Sequence, residues 1–218
     1  MSAYKLVIFD WDGTLMDSVA HIVECLQQAA TTLEQPVPSI EAARNIIGLG
    51  LPEAIAILFP HASSAARESI RQQYAHHFIL GAPDKIQLFD GVMPLLTQLS
   101  EQGALLAVAT GKSRLGLNRV LAQTGLGDYF VATRCADETA SKPHPLMLHE
   151  ILAHTGIALD DAVMIGDTSY DMEMAQQIAM PRIGVSYGVH SVDVLQSYQP
   201  LAIVDSIYQL QEFLSSLP

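Results

Sequence analysis

Short apolar runs that end in polar or glycine residues alternate with segments of helical period along most of the chain. The runs fall at 5–9, 104–109, 129–133, 162–165, 182–185 and 201–204. Between them, Val92, Leu95, Leu96 and Leu99 keep the i, i+3, i+4, i+7 spacing of a helix with one buried stripe, and Leu117, Val120 and Leu121 do so over a shorter span. Strands alternating with helices predict a doubly wound α/β domain, a mostly parallel, Rossmann-like sheet covered by helices.

One stretch breaks the alternation. Between the first run and Phe89 the chain shows no convincing strand, only helical patterns: Val19, Ile22, Val23, Leu26, Ala30 and Leu33 form one amphipathic stripe, and 40–47, 52–59 and 65–80 suggest three more. Four helices are too many for a single crossover. The pattern predicts an α-helical insertion over 18–86 in a core made of 1–17 and 87–218, with Gly81-Ala82-Pro83-Asp84 as the returning linker.

Composition narrows the class of partner. Half of the 218 residues are apolar and 16% are charged, enough to bury a core and too apolar for intrinsic disorder. Eleven Lys and Arg against 23 Asp and Glu leave a net charge of −12 without a local basic patch, so neither a nucleic acid nor an anionic membrane is expected as a partner. Cys25 and Cys135 lie far apart with no CxxC pair, which predicts no disulfide framework, no cysteine-rich zinc site and a reducing, cytoplasmic compartment. The apolar run near the start is only Leu6, Val7, Ile8 and Phe9, followed at once by acids, so no export signal is expected.

The candidate chemistry sits where apolar runs end. In Phe9-Asp10-Trp11-Asp12-Gly13-Thr14-Leu15-Met16-Asp17-Ser18, residues i and i+2 of an extended chain face one side, which sends the carboxylates of Asp10 and Asp12 together into the crevice beyond the strand. Asp12-Gly13 is also a common turn pair; Asp10, directly after an apolar strand, has no such explanation. Thr110-Gly111-Lys112 offers a hydroxyl, bare backbone and an ammonium to a phosphate, although taken alone Thr before Gly is also what a helix N-cap region shows. Lys142, in Ser141-Lys142-Pro143-His144-Pro145, is either held in one place by the flanking prolines or is an ordinary solvated loop lysine. Asp167 and Asp171 flank the loop of Ile165-Gly166-Asp167-Thr168-Ser169-Tyr170-Asp171-Met172, where one acid can serve as a helix cap.

In a parallel sheet all these strand ends face the same crevice. Asp10, Asp12 and Asp167 then converge with the Thr110 hydroxyl and the Lys142 ammonium, a hard oxygen set that selects Mg²⁺ over zinc and that leaves room for a substrate phosphate oxygen. The eight histidines show no metal-binding spacing, and no Gly-x-Ser-x-Gly elbow or Walker loop occurs.

The motifs FDWDGTLMDS, TGK, SKPHP and GDTSYDM, in this order, resemble those of the haloacid dehalogenase superfamily, and among its members the chain is most similar to the phosphoglycolate phosphatase-like hydrolases. The helical insertion looks like that family's cap, and Phe89-Asp90-Gly91-Val92 resembles its return to the core, with Asp90 where proline is usual. The resemblance implies a phosphatase acting on a small phosphomonoester. Asp10 would be the nucleophile that becomes an aspartyl phosphate, and Asp12 the acid and base. Mg²⁺ would be held by Asp10, the backbone carbonyl of Asp12 and Asp167, with Asp171 behind them, while Thr110, Gly111 and Lys142 grip the phosphoryl oxygens. Arg44 and Lys112 are candidates to meet a second anion on the substrate.

Related activities fare less well. Family members that displace halide lack the acid at the position of Asp12, and a phosphonatase needs a cap lysine where this insertion has only Lys85 at its end. A phosphomutase shares the core motifs, yet Gly48 is followed by Leu49 rather than the arginine of sugar-phosphate mutases. A non-catalytic regulator would lack one of Asp10, Asp12, Lys142 or Asp167, and all four are present.

Overall fold

The computed structural model describes residues 4–80 and 87–217. Six parallel strands form one sheet: β1 (Leu6–Phe9), β4 (Leu105–Thr110), β5 (Phe130–Cys135), β6 (Ala162–Gly166), β7 (Arg182–Val185) and β8 (Ala202–Val204), in the order β5-β4-β1-β6-β7-β8. Every strand expected from the apolar runs is present, with ends shifted by at most two residues. The chain begins in the middle of the sheet, builds outward to β5, then crosses back to β6 on the other side of β1. That reversal opens a crevice at the C-terminal ends of β1, β4 and β6, where ligands of such sheets bind. The register levels the three ends, since Phe9 pairs with both Val108 and Ile165.

All four residues of β1 are buried, because helices cover both faces. Val7 and Phe9 point one way, into a cluster with Leu106, Val108, Val163 and Ile165 that is closed by α5 (Val92–Glu101), α6 (Arg114–Thr124) and α10 (Ile207–Ser216). Leu6 and Ile8 point the other way, onto Ala107, Ala109, Met164 and the inner faces of α7 (Leu146–Thr155) and α8 (Ser169–Gln176). Each such apolar side chain contributes about 1.5–3 kcal/mol on burial, which fixes the strand ends and the acids that follow them.

The insertion has apolar clusters of its own. In α1 (Val19–Thr32), the stripe Val19, Ile22, Val23 and Leu26 packs on Ala43, Ile46, Ile47 and Ala54 from α2 (Ile40–Asn45), α3 (Leu51–Leu58) and the turn between them. Ile70 of α4 (Ser64–Leu80) joins Ala29, Ala30, Ile55 and Phe59 in a second cluster. Ser39 caps α2 by accepting from the Ala42 amide, and Pro52 opens α3, where a missing N–H costs nothing. The expected linker at 81–84, and Lys85 after it, lie outside the described residues.

One element was not expected. Two-residue strands β2 (Met16–Asp17) and β3 (Gln87–Leu88) pair antiparallel where the chain leaves and rejoins the core, and the Phe89 amide continues the contact by donating to the Leu15 carbonyl at 3.0 Å. Strands this short have no readable period, and their pairing arises only from the closure of the insertion.

Candidate active site

The Asp10 amide donates to the Ile165 carbonyl at 2.9 Å, so the pairing of β1 with β6 runs one residue past the strand and holds Asp10 at the sheet edge. The chain then folds back tightly, with the amides of Leu15 and Met16 both donating to the Trp11 carbonyl and Trp11 buried edge-on against Phe130. Gly13 makes that turn at φ +82°, and a Cβ on it would lie 2.2 Å from Asp167 Oδ2. Only glycine fits both the backbone and the space.

Asp10, Asp12, Thr110, Lys142, Asp167 and Asp171 are all buried. The Lys142 ammonium lies 2.7 Å from Asp10 Oδ1 and donates to Asp171 Oδ1 at 2.6 Å. The solvated-loop alternative for Lys142 is therefore excluded. Asp171 accepts at Oδ2 from the amide and hydroxyl of Thr168, completing the capping box of α8. Capping and ion pairing use the same carboxylate.

Asp167 accepts from the Thr14 hydroxyl and the Val189 amide, each at 2.8 Å. Asp12 turns from this group, its Oδ1 accepting from Ser18 Oγ at 2.5 Å and pairing with Lys112 Nζ at 2.9 Å. The Thr110 hydroxyl accepts from the Lys112 amide at 3.2 Å. Lys112 also lies 4.8 Å above the centre of the Phe78 ring, a contact between the core and α4.

The electrostatics are those of crowded, desolvated acids. Burial pushes the Asp10 carboxyl well above its ordinary value, with Asp171 and Asp167 adding to the rise and Lys142 opposing it. Burial and Asp171 push Asp167 up to about 7, against the bonds from Val189 and Thr14. Burial works against the Lys142 ammonium, but Asp10 and Asp171 outweigh it and raise its pKa. Both Asp10 oxygens are buried without a hydrogen-bond partner among the described residues, Oδ1 meeting Lys142 as an ion pair only.

Carboxylate oxygens of Asp10, Asp167 and Asp171 lie within 4.8 Å of one another. Unsatisfied Asp10 oxygens beside a second buried carboxylate fit a hard cation, which would supply the missing partner and offset the mutual repulsion. Asp171, expected behind the metal ligands, stands inside this cluster, although Lys142 and Thr168 already occupy its oxygens.

The insertion seats directly on these loops. A Cβ on Gly111 would lie 2.4 Å from the Leu49 carbonyl oxygen and 2.6 Å from that of Gly48, so the α2–α3 turn rests on bare backbone at the end of β4. The Gly50 amide donates to Ser141 Oγ at 2.8 Å, and Tyr170 OH donates to the Asn45 carbonyl at 2.8 Å. Arg44, a candidate to meet a second anion, stands apart from the other candidates. Its guanidinium donates to the carbonyls of Gly188 and Val189 at 3.0 and 3.4 Å, and it does not line the cavity above Asp10. It ties the insertion to the loop that also binds Asp167.

Four residues at the site escaped the sequence reading. Ser18 and Thr14 sit inside the first motif and bond Asp12 and Asp167. Tyr187 donates to the Thr14 carbonyl at 2.9 Å, and Val189 donates to Asp167. The hydroxyls could have been found from their motif; 187–189 carries no sequence signal.

A cavity of about 380 Å³ lies between sheet edge and insertion, with Asp10, Asp12, Thr110 and Lys112 at its polar end. Buried carboxylates gathered around one ammonium at the switch point of a doubly wound sheet, under an inserted helical layer, define an α/β enzyme with an acidic centre fit for a cation. The chain belongs to the haloacid dehalogenase-like hydrolases, whose family model matches residues 7–185. A Dickeya dadantii protein named "probable phosphatase IndB" is 36% identical, with 94% of this chain and 91% of the relative covered. The phosphoglycolate phosphatase of Nitrosococcus oceani is 29% identical over 97% of this chain and 96% of its own. A solved "predicted phosphatase" from Clostridium acetobutylicum superposes with a TM-score of 0.86 at 27% identity, covering 98% of this chain and 99% of the other. A Bacteroides vulgatus structure named as a beta-phosphoglucomutase, 22% identical with a TM-score of 0.85 over 98% and 88% of the chains, shows the fold alone. No helix among the described residues is long and apolar enough to cross a membrane.

Proposed function

We propose that this hydrolase is a Mg²⁺-dependent, cytoplasmic phosphatase that cleaves a small phosphomonoester, with a catalytic core of residues 1–17 and 87–218 and a helical cap of residues 18–86. The observation that carries this reading is the Asp10 carboxylate: buried, lining a cavity, paired at Oδ1 with the Lys142 ammonium and with Oδ2 lacking a hydrogen-bond partner among the described residues. The phosphatase names of the two relatives support it.

In this reading an Asp10 oxygen attacks phosphorus and the ester P–O bond breaks, leaving an aspartyl phosphate. Asp12 gives a proton to the departing alkoxide, then takes one from the water that attacks the phosphoryl group, returning phosphate and the Asp10 carboxylate. Ser18 and Lys112, both on Asp12 Oδ1, orient that carboxyl so that Oδ2 carries the proton. Lys142 and Thr110 hold phosphoryl oxygens, with Gly111 allowing close approach. Mg²⁺ held by Asp10, the Asp12 carbonyl and Asp167 would neutralise charge between the anionic nucleophile and the anionic substrate. Asp171 keeps Lys142 in place.

Phosphate release from a panel of monoesters, with and without Mg²⁺ and beside Asp10→Asn, tests the assignment. Unchanged turnover in the variant removes Asp10 as nucleophile. The phosphomutase alternative predicts an isomerised sugar phosphate in place of free phosphate, and Leu49 after Gly48 argues against it; a regulatory binding protein would release neither product.

A further inference from the structure

Beyond its polar end, the cavity above Asp10 is walled by hydrocarbon. Ile22 and Leu26 come from α1, Ile47 and Leu49 from the α2–α3 turn, and Tyr74 and Phe78 from α4. Two of the three cations in the wall are ion-paired, and the third bonds only a neutral carbonyl. Lys112 pairs with Asp12, Arg71 pairs with Glu68 at 2.6 Å, and Arg119 donates through Nη2 to the Ile79 carbonyl at 3.0 Å. Arg119 Nη1 is buried and has no partner among the described residues.

A short hydroxy acid such as glycolate ends in a carboxylate. Placed against the hydrocarbon of this wall, that charge would lose its water without gaining a partner, and set beside Arg119 it would leave most of the apolar surface wet. A volume of about 380 Å³ also falls in the range of cavities, about 300–1,000 Å³, that enclose whole organic ligands. Resting on the phosphatase reading, we infer that the substrate is a phosphomonoester whose alcohol is predominantly apolar beyond the ester oxygen, an alkyl or aryl body buried among Leu26, Leu49, Tyr74 and Phe78. Arg119 Nη1 leaves place for one hydrogen-bond acceptor on that body. Specificity then comes from hydrocarbon burial, and phosphoglycolate is a poor substrate.

The test is a chain-length series. With Mg²⁺ present, kcat/KM is measured for ethyl, butyl and hexyl phosphate, phenyl phosphate and phosphoglycolate; binding of ethyl-, butyl- and hexylphosphonate, which cannot be hydrolysed at the P–C bond, is measured by calorimetry. We expect kcat/KM and phosphonate affinity to rise about fourfold per buried methylene, hexyl and phenyl phosphate to exceed phosphoglycolate, and Leu49→Asn, checked for folding by circular dichroism, to flatten the slope. A flat or falling series, or preference for phosphoglycolate, overturns the inference while leaving the phosphatase reading intact. Absence of phosphate release from every ester overturns the phosphatase reading, and the phosphonate series still decides whether the cavity selects an apolar body.

Discussion

The ammonium of Lys142 donates to Asp171 Oδ1 at 2.6 Å with neither side chain exposed, tying the loop after β5 to the first turn of α8. The same nitrogen faces Asp10, so one cation is shared between the capping acid of a helix and the acid at the end of β1. Loss of Lys142 strands two buried carboxylates. Replacing Lys142 with Met is expected to cost about 3–5 kcal/mol of stability in chemical denaturation and roughly a hundredfold or more in phosphate release. A variant with wild-type turnover would separate the lysine from the chemistry.

Gly13 offers a controlled comparison with Gly103. Both take a left-handed φ, +82° and +87°, but a Cβ on Gly103 meets nothing within 4 Å, whereas one on Gly13 strikes the Asp167 carboxylate. Gly103→Ala should lose about 1–2 kcal/mol from backbone strain alone. Gly13→Ala should lose more, and it should also weaken Mg²⁺ binding, which calorimetry on the folded variants measures. Equal losses at the two positions would deny the close approach.

Repulsion among the buried acids predicts that a cation stabilises the native protein. Mg²⁺ at a hundred times its dissociation constant adds about 2.7 kcal/mol, raising Tm, and EDTA reverses the rise. In Asp167→Asn the Mg²⁺-dependent part of the rise should vanish. Persistence of the full rise would place the ion elsewhere.

Cys135 is buried at the end of β5, and burial pushes its thiol up to about 12, with Arg114 opposing the shift. A raised thiol pKa keeps the nucleophilic thiolate scarce below that pH, on the order of one part in ten thousand at pH 8. Iodoacetamide should therefore modify Cys135 far more slowly in the native protein than in urea, with the native rate climbing as pH rises. Mass spectrometry of the peptide after timed quenching reads this out, and comparable rates in both states would contradict the burial.

Most of the sheet was legible because a buried parallel strand needs little beyond a short apolar run, and all six runs became strands. The acids at their ends were legible for the same reason, since Asp10 and Asp167 follow the last buried residues of β1 and β6. Lys142 was ambiguous. Nothing within several residues of it distinguishes a buried ammonium from a solvated one; its two partners are 132 and 29 positions away. The place of Arg44 was not legible either, since its guanidinium bonds carbonyls of a loop that has no sequence signature.

By itself the sequence determined the order of strands and helices, the helical insertion after the first motif and the residue types delivered to the sheet edge, because period and strand-end position depend on near neighbours along the chain. The tertiary structure decided which charges meet. It placed Lys142 between Asp10 and Asp171, turned Asp12 toward Ser18 and Lys112, paired β2 with β3 and lined the cavity with hydrocarbon from α1 and α4. Those outcomes follow from contacts between distant segments, whose energies exist only after the core has packed and water has left the site.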